Sequence, residues 1–68
     1  MKYIIQSKCF GDTKWNYRSE ATDEIKAIIN TVKAKKDDIK LKMGKDNSYR
    51  IIDKDEKVIF ILRDDFIP

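Results

Sequence analysis

The chain has 68 residues, 41% hydrophobic and 40% charged, with a formal net charge of +3. That predicts one domain over residues 1–68, with a stability of order 5 kcal/mol and little margin for a strained catalytic site. The mild charge excludes an acidic nucleic-acid mimic and falls short of a dedicated duplex binder; no histidine and a single cysteine leave no zinc-type ligand set and no internal disulfide.

Lys2 to Phe10 predicts a first strand in which Tyr3, Ile4 and Ile5 are apolar on both faces. Gly11-Asp12-Thr13-Lys14 is turn chemistry, and Trp15 to Ser19 predicts a second strand that closes a hairpin. Thr22 is the expected helix N-cap, with Asp23 and Glu24 in the first turn where acids suit the dipole. Ala21, Ile25, Ile28, Ile29 and Val32 fall at helical spacing. They are read as the stripe that packs on the sheet, with Ile29 near its centre. The opposite face carries Ala27, Asn30 and Ala34. It reads either as plain helix propensity or as a smooth docking surface. Lys33, Lys35 and Lys36 close the helix, where cations are favoured.

Ile39, Leu41 and Met43 alternate with Lys40 and Lys42, which predicts a half-buried strand. Lys40, Lys42 and Lys45 are then a solvated sheet face or charges guarding an edge. Gly44 to Ser48 is a turn, Tyr49 to Asp53 a strand, Lys54 to Lys57 a polar turn, and Val58 to Leu62 the last strand. Arg63 to Pro68 is a tail with apolar Phe66 and Ile67. The expected fold is α+β: a single helix packed on a small, mostly antiparallel sheet, in the order β-β-α-β-β-β. The last strand has no polar member, so both of its faces ask for cover. Val58, Phe60 and Leu62 are assigned to the helix side. Ile59 and Ile61, joined by Ile4 and Ile52, then face away and form the candidate oligomer interface, with a symmetric homodimer as the expected state.

The residues predict a non-enzymatic protein with no cofactor and no metal. Cys9 has no histidine to activate it and reads as a buried, inert thiol. Asp37-Asp38 and Asp64-Asp65 are adjacent pairs whose side chains diverge, so they read as solvated surface groups. Gly11 and Gly44 are isolated and make no phosphate loop. No apolar stretch reaches membrane-spanning length and no leader pattern opens the chain, so a soluble, cytoplasmic protein is expected. Lys14, Trp15, Tyr17 and Arg18, with Tyr49 and Arg50, set aromatics beside cations. They are the candidate binding surface, in the manner of single-strand nucleic-acid binders. The rival reading buries Trp15 and Tyr17 under the helix.

Tyr3-Ile4-Ile5-Gln6, Trp15-Asn16-Tyr17-Arg18, Thr22-Asp23-Glu24-Ile25 and Tyr49-Arg50-Ile51-Ile52 together resemble small phage and prophage accessory proteins. Those place a tryptophan after a turn, then a helix, then a Tyr-Arg-Ile strand. The resemblance implies a mobile-element protein that binds and inhibits or sequesters a host component, in the host cytoplasm. It implies no particular functional residue. Two alternatives stand beside it: a small nucleic-acid-binding regulator, and an oligomeric sponge for a nucleotide-like ligand held between subunits. Steep salt dependence favours nucleic acid.

Overall fold

The structure is a computed structural model that describes residues 2–41 and 46–65. Tyr3–Lys8 (β1) and Asn16–Ala21 (β2) pair as an antiparallel hairpin. Gly11 sits in its loop at φ +90, a conformation that glycine adopts without a Cβ penalty. The helix Glu24–Lys40 (α1) follows, then Ser48–Ile52 (β3) and Val58–Leu62 (β4). The sheet order is β2-β1-β3-β4, and every neighbouring pair is antiparallel. One helix on a four-stranded antiparallel sheet is the α+β class that the pattern predicts.

Among the described residues the element order is β-β-α-β-β, one strand fewer than expected. Ile39 and Lys40 belong to α1, and Leu41 is its C-cap, its N–H donating to the Asp37 and Ile39 carbonyls. Lys42, Met43, Gly44, Lys45, Phe66, Ile67 and Pro68 lie outside the described residues. At Ile39 and Lys40 the alternation loses because extending an existing helix adds a hydrogen bond per residue, whereas starting a strand does not. Ile39 also repeats Ile25 and Val32 at seven-residue steps, so it fits a helix face as well as it fits a strand. The N-cap is Asp23, not Thr22: the Asp23 carboxylate accepts the Ile25 N–H at 3.2 Å.

Ile5 of β1 lies directly across from Ile51 of β3, and Ile51 from Phe60 of β4. Ala27 of α1 packs with Ile5 and Ile51 to form the buried centre. The phase of α1 is therefore not the expected one. Its buried residues are Ala27, Thr31, Lys35 and Asp38. Ile25 is 67% exposed and Ile29 57%, while Ile28 and Val32 are half-buried at the margin. The small face docks and the isoleucine stripe turns outward. A small side chain lets the helix backbone approach Ile5 and Ile51 closely. Thr31 removes its own polarity from the interface by donating its hydroxyl to the Ala27 carbonyl at 2.7 Å.

The last strand departs from simple alternation as well. A bulge between Ile51 and Ile52 sets Val58, not Ile59, opposite Ile52. Phe60 and Leu62 lie opposite Ile51 and Tyr49 on the helix side. Val58 leaves that side and is exposed. The β3–β4 turn is organised by Asp53, whose carboxylate accepts the N–H groups of Asp55 and Lys57 at 2.9 and 3.0 Å.

Candidate binding faces

The C-terminal half of α1 is fastened to the sheet by charge. Arg18, on β2, donates two hydrogen bonds to the Asp38 carboxylate at 2.8 and 2.6 Å. The Tyr49 hydroxyl of β3 donates to the same carboxylate. The bidentate fork is the strong form of such a pair. It holds Asp38 below the usual carboxylate range, with the Tyr49 hydroxyl bond assisting against burial. Arg18 is raised by the same contact. Burial first, and then its bond to Asp38, push Tyr49 up to about 12.

One turn earlier, Lys35 is fully buried. Its ammonium donates to the carbonyls of Asn47 and Asp64 at 2.8 and 3.2 Å and lies 5.8 Å from the Tyr49 ring centre. Burial pulls its pKa down. No buried side-chain nitrogen or oxygen among the described residues lacks a partner. This cluster is closed and self-satisfied. It positions α1 and offers nothing to a substrate.

Two faces remain open. The outer face of α1 presents Ile25 and Ile29, with half-buried Ile28, Val32 and Ile39 at its margin. A shallow groove runs along it, bounded by Lys33, Lys36, Asp37 and Lys40. The second open face is the side of the sheet away from α1. Its central row follows from the register: Tyr17 opposite Gln6, Gln6 opposite Arg50, Arg50 opposite Ile61. Arg50 donates to the Gln6 amide oxygen at 2.6 Å and lies 4.4 Å from the Trp15 ring centre, with the Lys8 ammonium 4.8 Å from it. Both cations therefore sit on the indole within cation–π range.

The six residues singled out for aromatic and basic character separate here. Trp15 and Arg50 meet on the open sheet face, Tyr17 is exposed beside them, and Lys14 is exposed in the preceding loop. Arg18 and Tyr49 go to the opposite side and are committed to Asp38. Tyr49, fully buried, belongs to no surface. Gln6 and Lys8, which complete the Trp15 cluster, carry no local signal; the β1–β2 register sets Lys8 beside Trp15, and the β1–β3 register sets Arg50 across from Gln6. Of Ile4, Ile52, Ile59 and Ile61, Ile52 is buried, Ile59 packs toward the core, Ile4 is half-buried and Ile61 is exposed.

Two further expectations are corrected. Asp38 is not a solvated surface group but a buried anchor. Cys9 is exposed, because the strand ends at Lys8 before reaching it. Among the described residues, no three His, Cys, Asp or Glu side chains are grouped to hold a metal, and no helix is long and apolar enough to cross a membrane. Comparison with protein-family models, characterised proteins and solved structures finds no match. The likeness to phage accessory proteins therefore rests on its short motifs alone.

Proposed function

We propose that this chain is a non-enzymatic binding protein that acts by laying the outer face of α1 against another polypeptide and so covering or sequestering it. One observation carries the reading: α1 docks by its small and polar side and leaves Ile25 and Ile29 more than half exposed. Burying a large aliphatic side chain gains about 1.5–3 kcal/mol. A helix that forgoes this twice within its own fold keeps it for a partner. Helix-against-protein contacts use this spacing of apolar anchors, and basic residues rim the groove as a polar rim borders an interface.

The test uses the intact chain as bait, with Ile29→Lys as control and bound proteins identified by mass spectrometry. A partner lost on Ile29→Lys supports the reading. A partner held equally by both forms places the contact elsewhere.

A second reading has its own observation. Tyr17, Arg50, Lys8 and Trp15 gather on the open sheet face, which is where four-stranded sheets receive single-stranded nucleic acid. Retention of a labelled oligonucleotide that weakens steeply with salt and is reduced by Arg50→Ala would favour it. The two faces lie on opposite sides of the sheet, so one does not obstruct the other.

A further inference from the structure

We infer that the open sheet face takes single-stranded nucleic acid with a base stacked on Tyr17 and phosphates on Arg50 and Lys8, while Trp15 is the post that holds those two cations and not the stacking platform. This inference rests on the second reading above and assigns the parts of its site. Arg50 lies 4.4 Å from the Trp15 ring centre and the Lys8 ammonium 4.8 Å from it. The indole is half-buried and already covered by two charged groups. A base reaches it only by displacing a cation that a phosphate needs. Tyr17 is 63% exposed, and among the described residues no cation sits over its ring. It stands in the same row of the sheet as Arg50, two strands away, a span of about 10 Å at ~4.8 Å per strand.

Charge complementarity selects the occupant. Lys8 and Arg50 stand on this face, with exposed Lys14 in the loop beside it. Glu20, an acid that the register sets on the same face, is tied to Lys2 at 2.8 Å. Gln6 takes only the Arg50 Nε, at 2.6 Å. It thereby orients the guanidinium and leaves the two Nη groups for phosphate oxygens. A duplex hides its base faces, so an exposed tyrosine adds nothing to duplex binding. An unpaired strand offers a base face at every nucleotide. An acidic polypeptide would match the cations, but it carries no ring at each charged unit as a nucleotide does.

Anisotropy of a labelled single-stranded oligonucleotide, titrated with the intact chain, gives the first readout. Tyr17→Thr keeps a strand-favouring residue at an exposed position. It should weaken binding about fivefold to a hundredfold, the usual effect of removing one stacking ring, and Tyr17→Phe should keep most of the affinity. An abasic sugar-phosphate strand of the same length should bind the wild type more weakly, and Tyr17→Thr should not weaken it further. Trp15→Ala should weaken both strands by freeing Arg50 and Lys8. Trp15→Phe, which keeps a ring under the cations, should restore both. Trp15 is the chain's single tryptophan, so its emission reports on this site alone. The base-bearing and abasic strands should change that emission equally. Stronger quenching by the base-bearing strand puts the base on the indole and overturns the assignment.

The remaining outcomes separate this inference from the reading beneath it. Oligonucleotide binding that weakens in Arg50→Ala yet is unchanged in Tyr17→Thr overturns the platform and leaves the sheet-face reading standing. Absence of binding by any strand at low salt removes both. A duplex of the same sequence, or polyglutamate, held as tightly as the single strand overturns the choice of occupant.

Discussion

The two long faces of α1 hold opposite kinds of residue from those that a helix on a sheet ordinarily holds. Ala27, Thr31, Lys35 and Asp38 face inward, while Ile25 and Ile29 lie exposed on the outer face. Area alone would turn the helix by about half a turn and bury the isoleucines. Against that stand three hydrogen bonds to Asp38, two from the Lys35 ammonium, and close packing of Ala27 on Ile5 and Ile51. Turning the helix would strip these charges of partners within a partly dry site, at a cost of about 3–5 kcal/mol for the ion pair alone. The comparison teaches that a few well-placed polar bonds can select a helix phase that hydrophobicity would not. The displaced apolar stripe is then free to serve association.

The largest expected effect is at the inward anchor. Asp38→Ala leaves the Arg18 guanidinium unpaired and the Tyr49 hydroxyl buried without an acceptor. The cost should be toward the low end of about 3–5 kcal/mol, because the Arg18 side chain keeps 35% of its exposure. In a domain with about 5 kcal/mol in hand, that brings thermal unfolding close to ambient temperature. Adding Arg18→Ala should cost much less than it does in the wild type, since its partner is already gone. Additive losses at the two positions would show that they do not interact.

Ala27→Leu comes next. Three added carbons have no room against Ile5 and Ile51, and overpacking of this kind costs about 1–3 kcal/mol. Denaturant midpoints measure it. If the larger side chain leaves stability unchanged or raises it, the inward face is not Ala27's, and the comparison of faces collapses.

Acid and alkali test the same anchor more gently. The folded pKa of Asp38 is depressed, so its contribution is complete above the ordinary value of 3.8 and is lost as pH falls below it. Tyr49 is raised from 10.0 to about 12, so its contribution is complete below pH 10 and is lost as pH rises toward 12. Lys35, depressed by burial, acts against Tyr49 in alkali, because neutralising a buried ammonium relieves the fold. Tyr49→Phe should therefore flatten the alkaline loss and leave the acid limb in place. A variant with an unchanged alkaline limb would mean that the tyrosine hydroxyl is not what titrates.

How much of this was legible follows from the range of each signal. The two hairpins, the helix start near Asp23 and the α+β class are written in local periodicity and turn chemistry. The docking phase of α1 is not, because its deciding contacts join Asp38 to Arg18, 20 positions away, and Lys35 to Asp64, 29 positions away. Ala27, Thr31, Lys35 and Asp38 do recur at helical spacing as one polar-to-small stripe, but nothing local distinguishes an anchor from a solvated face. The Trp15 cluster shows the same divide: its aromatic and basic residue types are visible in the chain, while its membership depends on the β1–β2 and β1–β3 registers. The alternation that begins at Ile39 misleads because Ile39 also continues the seven-residue recurrence of Ile25 and Val32, and so fits the helix that precedes it.

The smallest expected effect is the sharpest test of the two faces. Ile29→Ser, measured at a concentration where the chain is monomeric, should change unfolding by no more than about 0.5 kcal/mol. That is the ordinary scale of a surface substitution, because Ile29 is 57% exposed. If Ile29 instead occupied the middle of the core stripe, losing its aliphatic bulk would cost at least the 2–5 kcal/mol of a buried isoleucine truncation. The two outcomes differ by several-fold, well outside the error of a denaturant titration. A large loss in the dilute chain would turn the helix around and return the isoleucine stripe to the sheet.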